Sequence, residues 1–252
     1  MFDLTGMTAL VTGASGGIGS AIARALAAQG ARLAVSGSNA EKLEAFRAGL
    51  GGDHIALACN LSDKAQVDAL VPKAVEALGQ LDILVNNAGW DIAKPFLDTE
   101  PDLWEKIIAI NLRGPLNLHK AVLPHLIANG GGKVINIASD AGRVGSSGES
   151  VYSACKGGLI AFSKTVAREY ARDNVRVNVV CPGPTDTALL RSFVGEGEYG
   201  QKIYDKLQKA IPLKRLGQPA DIPGMIAFFA SSDADFITGQ VISVSGGLTM
   251  HG

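Results

Sequence analysis

Short runs rich in Val and Ile alternate along the chain with longer stretches whose apolar residues recur at helical spacing, and this alternation narrows the fold more than any other feature. Seven runs read as strands: Thr8 to Thr12, Arg32 to Ser36, His54 to Ala58, Ile83 to Asn86, Val134 to Ala138, Val175 to Val180 and Gln240 to Val244. Strands that are apolar on both faces belong to parallel sheets covered on each side by crossover helices. Helices are predicted at Gly17 to Gln29, Glu41 to Leu50, Lys64 to Leu78, Asp102 to Asn129 with a break near Gly114-Pro115, Val151 to Ala171, and Pro219 to Ser231. The expected architecture is α/β: a single doubly wound domain over residues 1–252, with a seven-stranded parallel sheet and helices on both faces. Only residues 183–213 break the alternation, and Gly195-Glu196-Gly197-Glu198-Tyr199-Gly200 predicts a mobile loop there, long enough to cover a site.

Composition excludes several function classes. Lys plus Arg is 23 against 24 for Asp plus Glu, a formal net charge of -1, which argues against a nucleic-acid partner. Hydrophobic residues make up 47% and charged ones 19%, which excludes disorder, and no apolar run reaches the roughly 18 residues of a membrane span. The start, Met1 to Gly6, carries Asp3 where a secretory signal carries basic residues, so a cytoplasmic protein is expected. Cys59, Cys155 and Cys181 are odd in number and lack ligand spacing, which fits buried small hydrophobes. His54, His119, His125 and His251 show no metal spacing either, so no metal is expected.

Thr12-Gly13-Ala14-Ser15-Gly16-Gly17-Ile18-Gly19 lies where the first strand turns into the first helix. Glycines there let backbone N–H groups approach a pyrophosphate, and the helix N-terminus faces the anion, as in the Rossmann fold. About 20 residues further on, such folds test the adenosine ribose, with Asp or Glu holding the 2′-hydroxyl of NAD. This chain has Ser36-Gly37-Ser38-Asn39 instead. Hydroxyls and an amide beside a helix N-terminus suit a 2′-phosphate, so NADP(H) is favoured over NAD(H). Glu41 falls in the first helical turn, where it serves the helix dipole.

Tyr152 and Lys156 are four apart in a helical stretch and therefore share one face. A phenol ionises near 10, and a nearby ammonium favours phenolate, so the pair can transfer protons. Ser139 ends the fifth apolar run, at the strand end where open α/β sheets bind ligands, and its hydroxyl can bond a carbonyl oxygen. Taken singly, each is an ordinary surface pair or turn residue.

Together with Asn86-Asn87-Ala88-Gly89, Asn111 and Pro182-Gly183, these motifs resemble the short-chain dehydrogenase/reductase family over essentially the whole chain. The resemblance implies that Tyr152 is the general acid for ketone reduction and the base for alcohol oxidation, while Ser139 orients the substrate oxygen. It implies that Lys156 lowers the Tyr152 pKa and binds the nicotinamide ribose, and that Asn111 holds a water linking Lys156 to solvent. Cofactor contacts are implied at Gly13, Ser15, Gly17, Ile18, Gly19, Ser36, Ser38, Asn39, Asn60, Leu61, Asn87, Ala88, Gly89, Tyr152, Lys156, Pro182, Gly183, Thr185 and Thr187. A homotetramer is implied as well, with the long helices and the Gly246 to Met250 segment at its interfaces.

Residues 1–89 resemble β-ketoacyl-(acyl carrier protein) reductases, which use NADPH. From Trp90 onward, Trp90-Asp91-Ile92, Ser139 to Gly148, Cys181 to Thr187 and Val244 to Met250 resemble the 2-hydroxycyclohexanecarboxyl-CoA dehydrogenases, which use NAD. Both interconvert a β-oxo and a β-hydroxy thioester, so that reaction is the shared expectation. Carrier-protein reductases dock an acidic helix on basic residues before the fifth strand and after the active-site helix. Here those places hold Asn129-Gly130-Gly131-Gly132 and Asp173, with Lys133 and Arg172 adjacent, which favours a CoA thioester or a small cyclic ketone. Trp90, Asp140, Arg143 and the Phe193 to Tyr204 loop are candidate substrate contacts. Two alternatives stay open: an NAD-linked secondary-alcohol or 2-hydroxycyclohexanecarboxyl-CoA dehydrogenase, and a non-catalytic dinucleotide-binding scaffold.

Overall fold

In the computed structural model, which describes residues 2–194 and 197–250, the seven apolar runs are strands. They are β1 (Thr8–Thr12), β2 (Arg32–Gly37), β3 (Ile55–Ala58), β4 (Ile83–Asn86), β5 (Gly132–Ile137), β6 (Val175–Pro182) and β7 (Val241–Val244). They form one sheet in the order β3-β2-β1-β4-β5-β6-β7, with every adjacent pair parallel. The covering helices are α1 (Gly17–Ala28), α2 (Ala40–Ala48), α3 (Lys64–Leu78), α4 (Pro101–Ile108), α5 (Gly114–Ala128), α6 (Ala141–Val144), α7 (Ser150–Glu169), α8 (Ala188–Val194), α9 (Gly197–Ala210) and α10 (Pro223–Ala230).

Strand alternation divides the core into two layers. Ala9 and Val11 of β1 pack with Ile22 and Leu26 of α1 and with Ile226 and Phe229 of α10. Leu10, between them, faces the other way, against Leu70 of α3 and Leu118 and Leu126 of α5. Burying each such side chain stabilises by about 1.5–3 kcal/mol, which is why the apolar pattern dictates the sheet. A polar island lies inside the second layer. His119 of α5, 1% exposed, meets Pro115 O at 2.8 Å and Asn136 Nδ2 at 3.2 Å, and Asn136 also donates to Ser163. Burial lowers the His119 pKa to about 4.

The expected break in the long helix is a wide π-helical turn at Ala109–Arg113, immediately before Gly114-Pro115. Pro115 has no N–H for the carbonyl four residues back, and Asn111 sits in the turn so freed. Residues 183–213 are no open loop, because most of the segment is helical in α8 and α9. Gly195 and Glu196 of the predicted mobile cluster, and His251, lie outside the described residues. Cys59, Cys155 and Cys181 are buried and free, as expected. Among the described residues no group of side chains could hold a metal, and no helix is long and apolar enough to cross a membrane.

Candidate active site

The strand order reverses beside β1, whose neighbours are β2 and β4, so connections depart to opposite faces and leave a crevice at the strand carboxyl ends. Thr12 closes β1 there. Its hydroxyl accepts from the Asn87 and Ala88 amides at 3.0 and 3.1 Å, while Asn87 Nδ2 donates to Thr12 O at 2.9 Å. Gly13 has φ +64°, and a Cβ on it would meet Ala88 Cα at 2.8 Å; a Cβ on Gly19 would stand 2.1 Å from Gly13 O. The glycines therefore let α1 press against the loop.

Side chains cap two of the helices that follow the first three strands: Asn39 bonds Lys42 N at the start of α2, and Asp63 bonds the Ala65 and Gln66 amides at the start of α3. The third of these, α1, whose N-cap is Gly16, has no side-chain cap. Its first-turn amides and positive dipole end thus face the crevice without a side-chain acceptor, which fits a dinucleotide pyrophosphate.

The other predicted cofactor residues gather at the same edge of the sheet. Ser15 Oγ lies 3.3 Å from where a Cβ on Gly37 would stand, and Thr187 Cγ2 lies 3.0 Å from the equivalent position on Gly17. Ile18 is half-buried there, Asn60 is exposed after β3, and Leu61 packs against Gly114. Gly183, following Pro182, abuts Ser245, and Thr185 donates to Gly183 O at 2.9 Å. At the adenosine end Ser36 is 1% exposed, and Asn39 Oδ1 accepts from Lys42 N at the start of α2. Ser38 alone of the three is exposed with no such bond.

Ser139 follows β5 and receives the Ala141 amide at 3.1 Å; its hydroxyl is near enough to Tyr152 to favour the phenolate. Lys156, 3% exposed, donates to Ile137 O at 2.9 Å and stands 5.5 Å from the Tyr152 ring centroid. Gly142 admits α6 against α7, since a Cβ there would lie 2.6 Å from the Lys156 carbonyl carbon. Asn111 donates to Trp90 O and Ile107 O at 2.6 and 2.9 Å. A Cβ on Gly89 would stand 3.1 Å from Asn111 Oδ1 and 3.6 Å from Lys156 Nζ, so this glycine leaves open a gap that both groups face.

The electrostatics depart from expectation. Burial, then the charge of Glu149, push the Tyr152 phenol above its ordinary range, and the nearby Ser139 hydroxyl opposes them. Desolvating a phenolate outweighs an ammonium set beside the ring. The Lys156 ammonium is itself brought down to about 8 by burial.

The candidate substrate residues are mostly spoken for. Lys106 Nζ lies 3.8 Å from the Trp90 ring centroid, covering its face. Asp140 is 5% exposed and accepts from Ser243 Oγ, to which Arg143 donates at 2.8 Å. Asp140 and Arg143 therefore tie α6 to β7. Asp186 accepts from Arg191 Nε at 2.9 Å. Sequence reasoning missed Asp91 and Glu149, which line one small cleft; Glu149 is the residue that precedes α7.

Two neighbouring hydroxyls near a strand end, a buried ammonium behind one of them, and a helix N-terminus without a side-chain cap make a site that can hold a carbonyl oxygen and pass it a proton. The profile of a family described as enoyl-(acyl carrier protein) reductase matches residues 13–249. Nodulation protein G of Rhizobium meliloti is 39% identical over 250 residues, covering 99% of this chain and 100% of that one. A 3-oxoacyl-(acyl-carrier-protein) reductase of Rickettsia conorii is 38% identical, with the same coverage of both chains. The crystal structure of a 3-ketoacyl-(acyl-carrier-protein) reductase from Brucella melitensis complexed with NADH superposes with a TM-score of 0.91 at 31% identity, covering 98% of this chain and 100% of that one. The chain belongs to the short-chain dehydrogenase/reductase family, oxidoreductases that bind a nicotinamide dinucleotide.

Proposed function

We propose that the protein reduces a ketone, a β-oxoacyl thioester, to the secondary alcohol. The observation that carries this is the placing of the Ser139 hydroxyl where it acts on the Tyr152 phenol, with the buried Lys156 ammonium 5.5 Å from the Tyr152 ring centroid, because two neighbouring hydroxyls suit a carbonyl oxygen rather than a carbon–carbon double bond. The bound dinucleotide supplies the hydride. Ser139 donates to the substrate oxygen and orients it, and Tyr152 delivers the proton that neutralises the developing alkoxide. Lys156 keeps a positive charge behind the phenol, and Asn111, across the gap at Gly89, lines the route by which a proton returns.

NADP(H) is the favoured nucleotide, since no carboxylate ends β2 and Ser38 with the α2 N-terminus can take a 2′-phosphate. The NADH in the Brucella structure supports NAD(H) as a second reading. Comparing kcat/KM for NADPH and NADH decides between them, and a large NADH preference removes the first. A CoA thioester or a small cyclic ketone is favoured over a carrier protein, because Lys133 is 6% exposed, bonded to Ser231 O and paired with Asp235 at 2.9 Å. It is unavailable to an acidic helix. A homotetramer remains the expected assembly.

The decisive experiment is Tyr152→Phe. Ketone reduction is expected to fall by roughly 1,000-fold while dinucleotide binding, read by fluorescence, changes little. Full activity in this variant would overturn the mechanism and favour a scaffold role.

A further inference from the structure

Asn136 of β5, His119 of α5 and Ser163 of α7 meet where the two helices pack over the strand, and all three are buried. Pro115 O can only accept, so the His119 ring proton sits on Nδ1, 2.8 Å away, and the bare Nε2 accepts from Asn136 Nδ2 at 3.2 Å. The same Nδ2 donates to Ser163 Oγ at 2.8 Å, and Ser163 donates in turn to Leu159 O at 2.6 Å. Asn136 Oδ1 accepts from Asn86 Nδ2 at 2.8 Å, which fixes the amide end that faces the helices. One carboxamide thus holds α5 and α7 at once.

Each of these bonds lies close in the chain to a group of the site. Ser163 stands two helical turns after Lys156 on the same face of α7. Asn136 is followed by Ile137, whose carbonyl receives Lys156 Nζ at 2.9 Å. β5 therefore grips α7 twice, at points about 10 Å apart along the helix. Pro115, the partner of His119, follows the wide turn that carries Asn111. Apolar packing is non-directional and lets a helix turn or slide by fractions of an ångström; hydrogen bonds of this length and direction do not. Stability alone does not call for the cluster: Asn86 Oδ1 at its edge finds no partner among the described residues, and a well-packed apolar core leaves no such group bare.

We propose that His119, Asn136 and Ser163 are positioning residues: the imidazole and the serine hydroxyl clamp the Asn136 amide, and the clamp keeps Lys156 on α7 and Asn111 before α5 facing the same gap at Gly89. This role rests on the reductase reading above. Breaking the clamp leaves the residues of the site in place in the chain and lets the helices that carry them drift.

The test compares His119→Leu, which keeps the bulk and removes both ring nitrogens, with His119→Gln, whose amide oxygen can still accept from Asn136. In His119→Leu the kcat of ketone reduction is expected to fall roughly 10- to 100-fold, the scale of a displacement of up to an ångström, while KM for the nucleotide changes by less than about three-fold. In His119→Gln kcat should return to within about three-fold of the parent's. Lys156 is followed separately by nuclear magnetic resonance of isotope-labelled lysine side chains, with Lys156→Met identifying the signal, which should move in the Leu variant and return in the Gln variant. An unchanged kcat or an unmoved signal in folded His119→Leu overturns the proposal, and so does an equal loss in His119→Gln or an equal loss of nucleotide binding. Should His119→Leu fail to fold, Ser163→Ala, which removes a single hydroxyl, carries the same kcat and signal readouts. If the parent reduces no ketone, a signal that moves and returns supports the clamp and overturns the reductase reading alone.

Discussion

Replacing Lys156 by Met should make the protein more stable and nearly inactive. The ammonium is 3% exposed, and burial brings its ionisation from 10.5 to about 8. At pH 7 that displacement costs the folded state about 3 kcal/mol. Against it stands the bond from Nζ to Ile137 O at 2.9 Å; losing the donor and leaving the carbonyl unpaired costs about 1–2 kcal/mol. Met fills nearly the same volume without a charge, so the net gain is about 1–2 kcal/mol. For a chain of this size that raises Tm by roughly 2–8 °C. The gain is present below pH 8 and vanishes as pH rises past 10.5, where neither state of the parent is charged. Urea unfolding at pH 7 and at pH 10.5 measures it, with ketone reduction followed in parallel. A variant less stable than the parent at pH 7 would refute the reasoning that this ammonium is held against its own desolvation.

Other predictions follow from single distances and charges. In Gly19→Ala the new Cβ would fall 2.1 Å from Gly13 O, so α1 must shift, and dinucleotide affinity by fluorescence titration should drop roughly 100-fold. His119 is held at about 4 against 6.5 in the unfolded chain, so the unfolded state binds the extra proton. Stability should therefore fall as pH drops from about 6.5 to 4, by up to about 3 kcal/mol, and His119→Gln should flatten that part of the unfolding profile. Gly89→Ala would put a methyl 3.1 Å from Asn111 Oδ1 and 3.6 Å from Lys156 Nζ. Its kcat should fall well below the parent's while KM for the nucleotide changes less.

The sheet was legible from the sequence because burial on both faces writes itself as unbroken apolar runs, and β1 and β4 coincide with the runs Thr8 to Thr12 and Ile83 to Asn86. The glycine loop and the Tyr152–Lys156 spacing were legible for a related reason: close backbone approach and a shared helix face each demand particular residues at fixed intervals. Residues 183–213 were not, because glycine-rich Gly195 to Gly200 signals a turn, although Ile203, Leu207 and Ile211 stand at helical spacing along α9 and its end. The burial of Ser36 and the cap made by Asn39 were not legible, because residue type alone does not say whether a side chain is buried or caps a helix. Nor was the meeting of Asp140 and Arg143 with Ser243 of β7, which is distant in the chain.

By itself the amino-acid order determined a parallel doubly wound sheet, a phosphate-type turn after β1, and a phenol and an amine one helical turn apart, because local periodicity and backbone sterics act over a few residues. Only the tertiary structure decided which side of ordinary each of those groups titrates, since desolvation and neighbouring charge come from segments distant in the chain. It alone set Asp91 in the same cleft as Glu149, 58 residues away in sequence, and made the Lys156 ammonium a buried, costly charge.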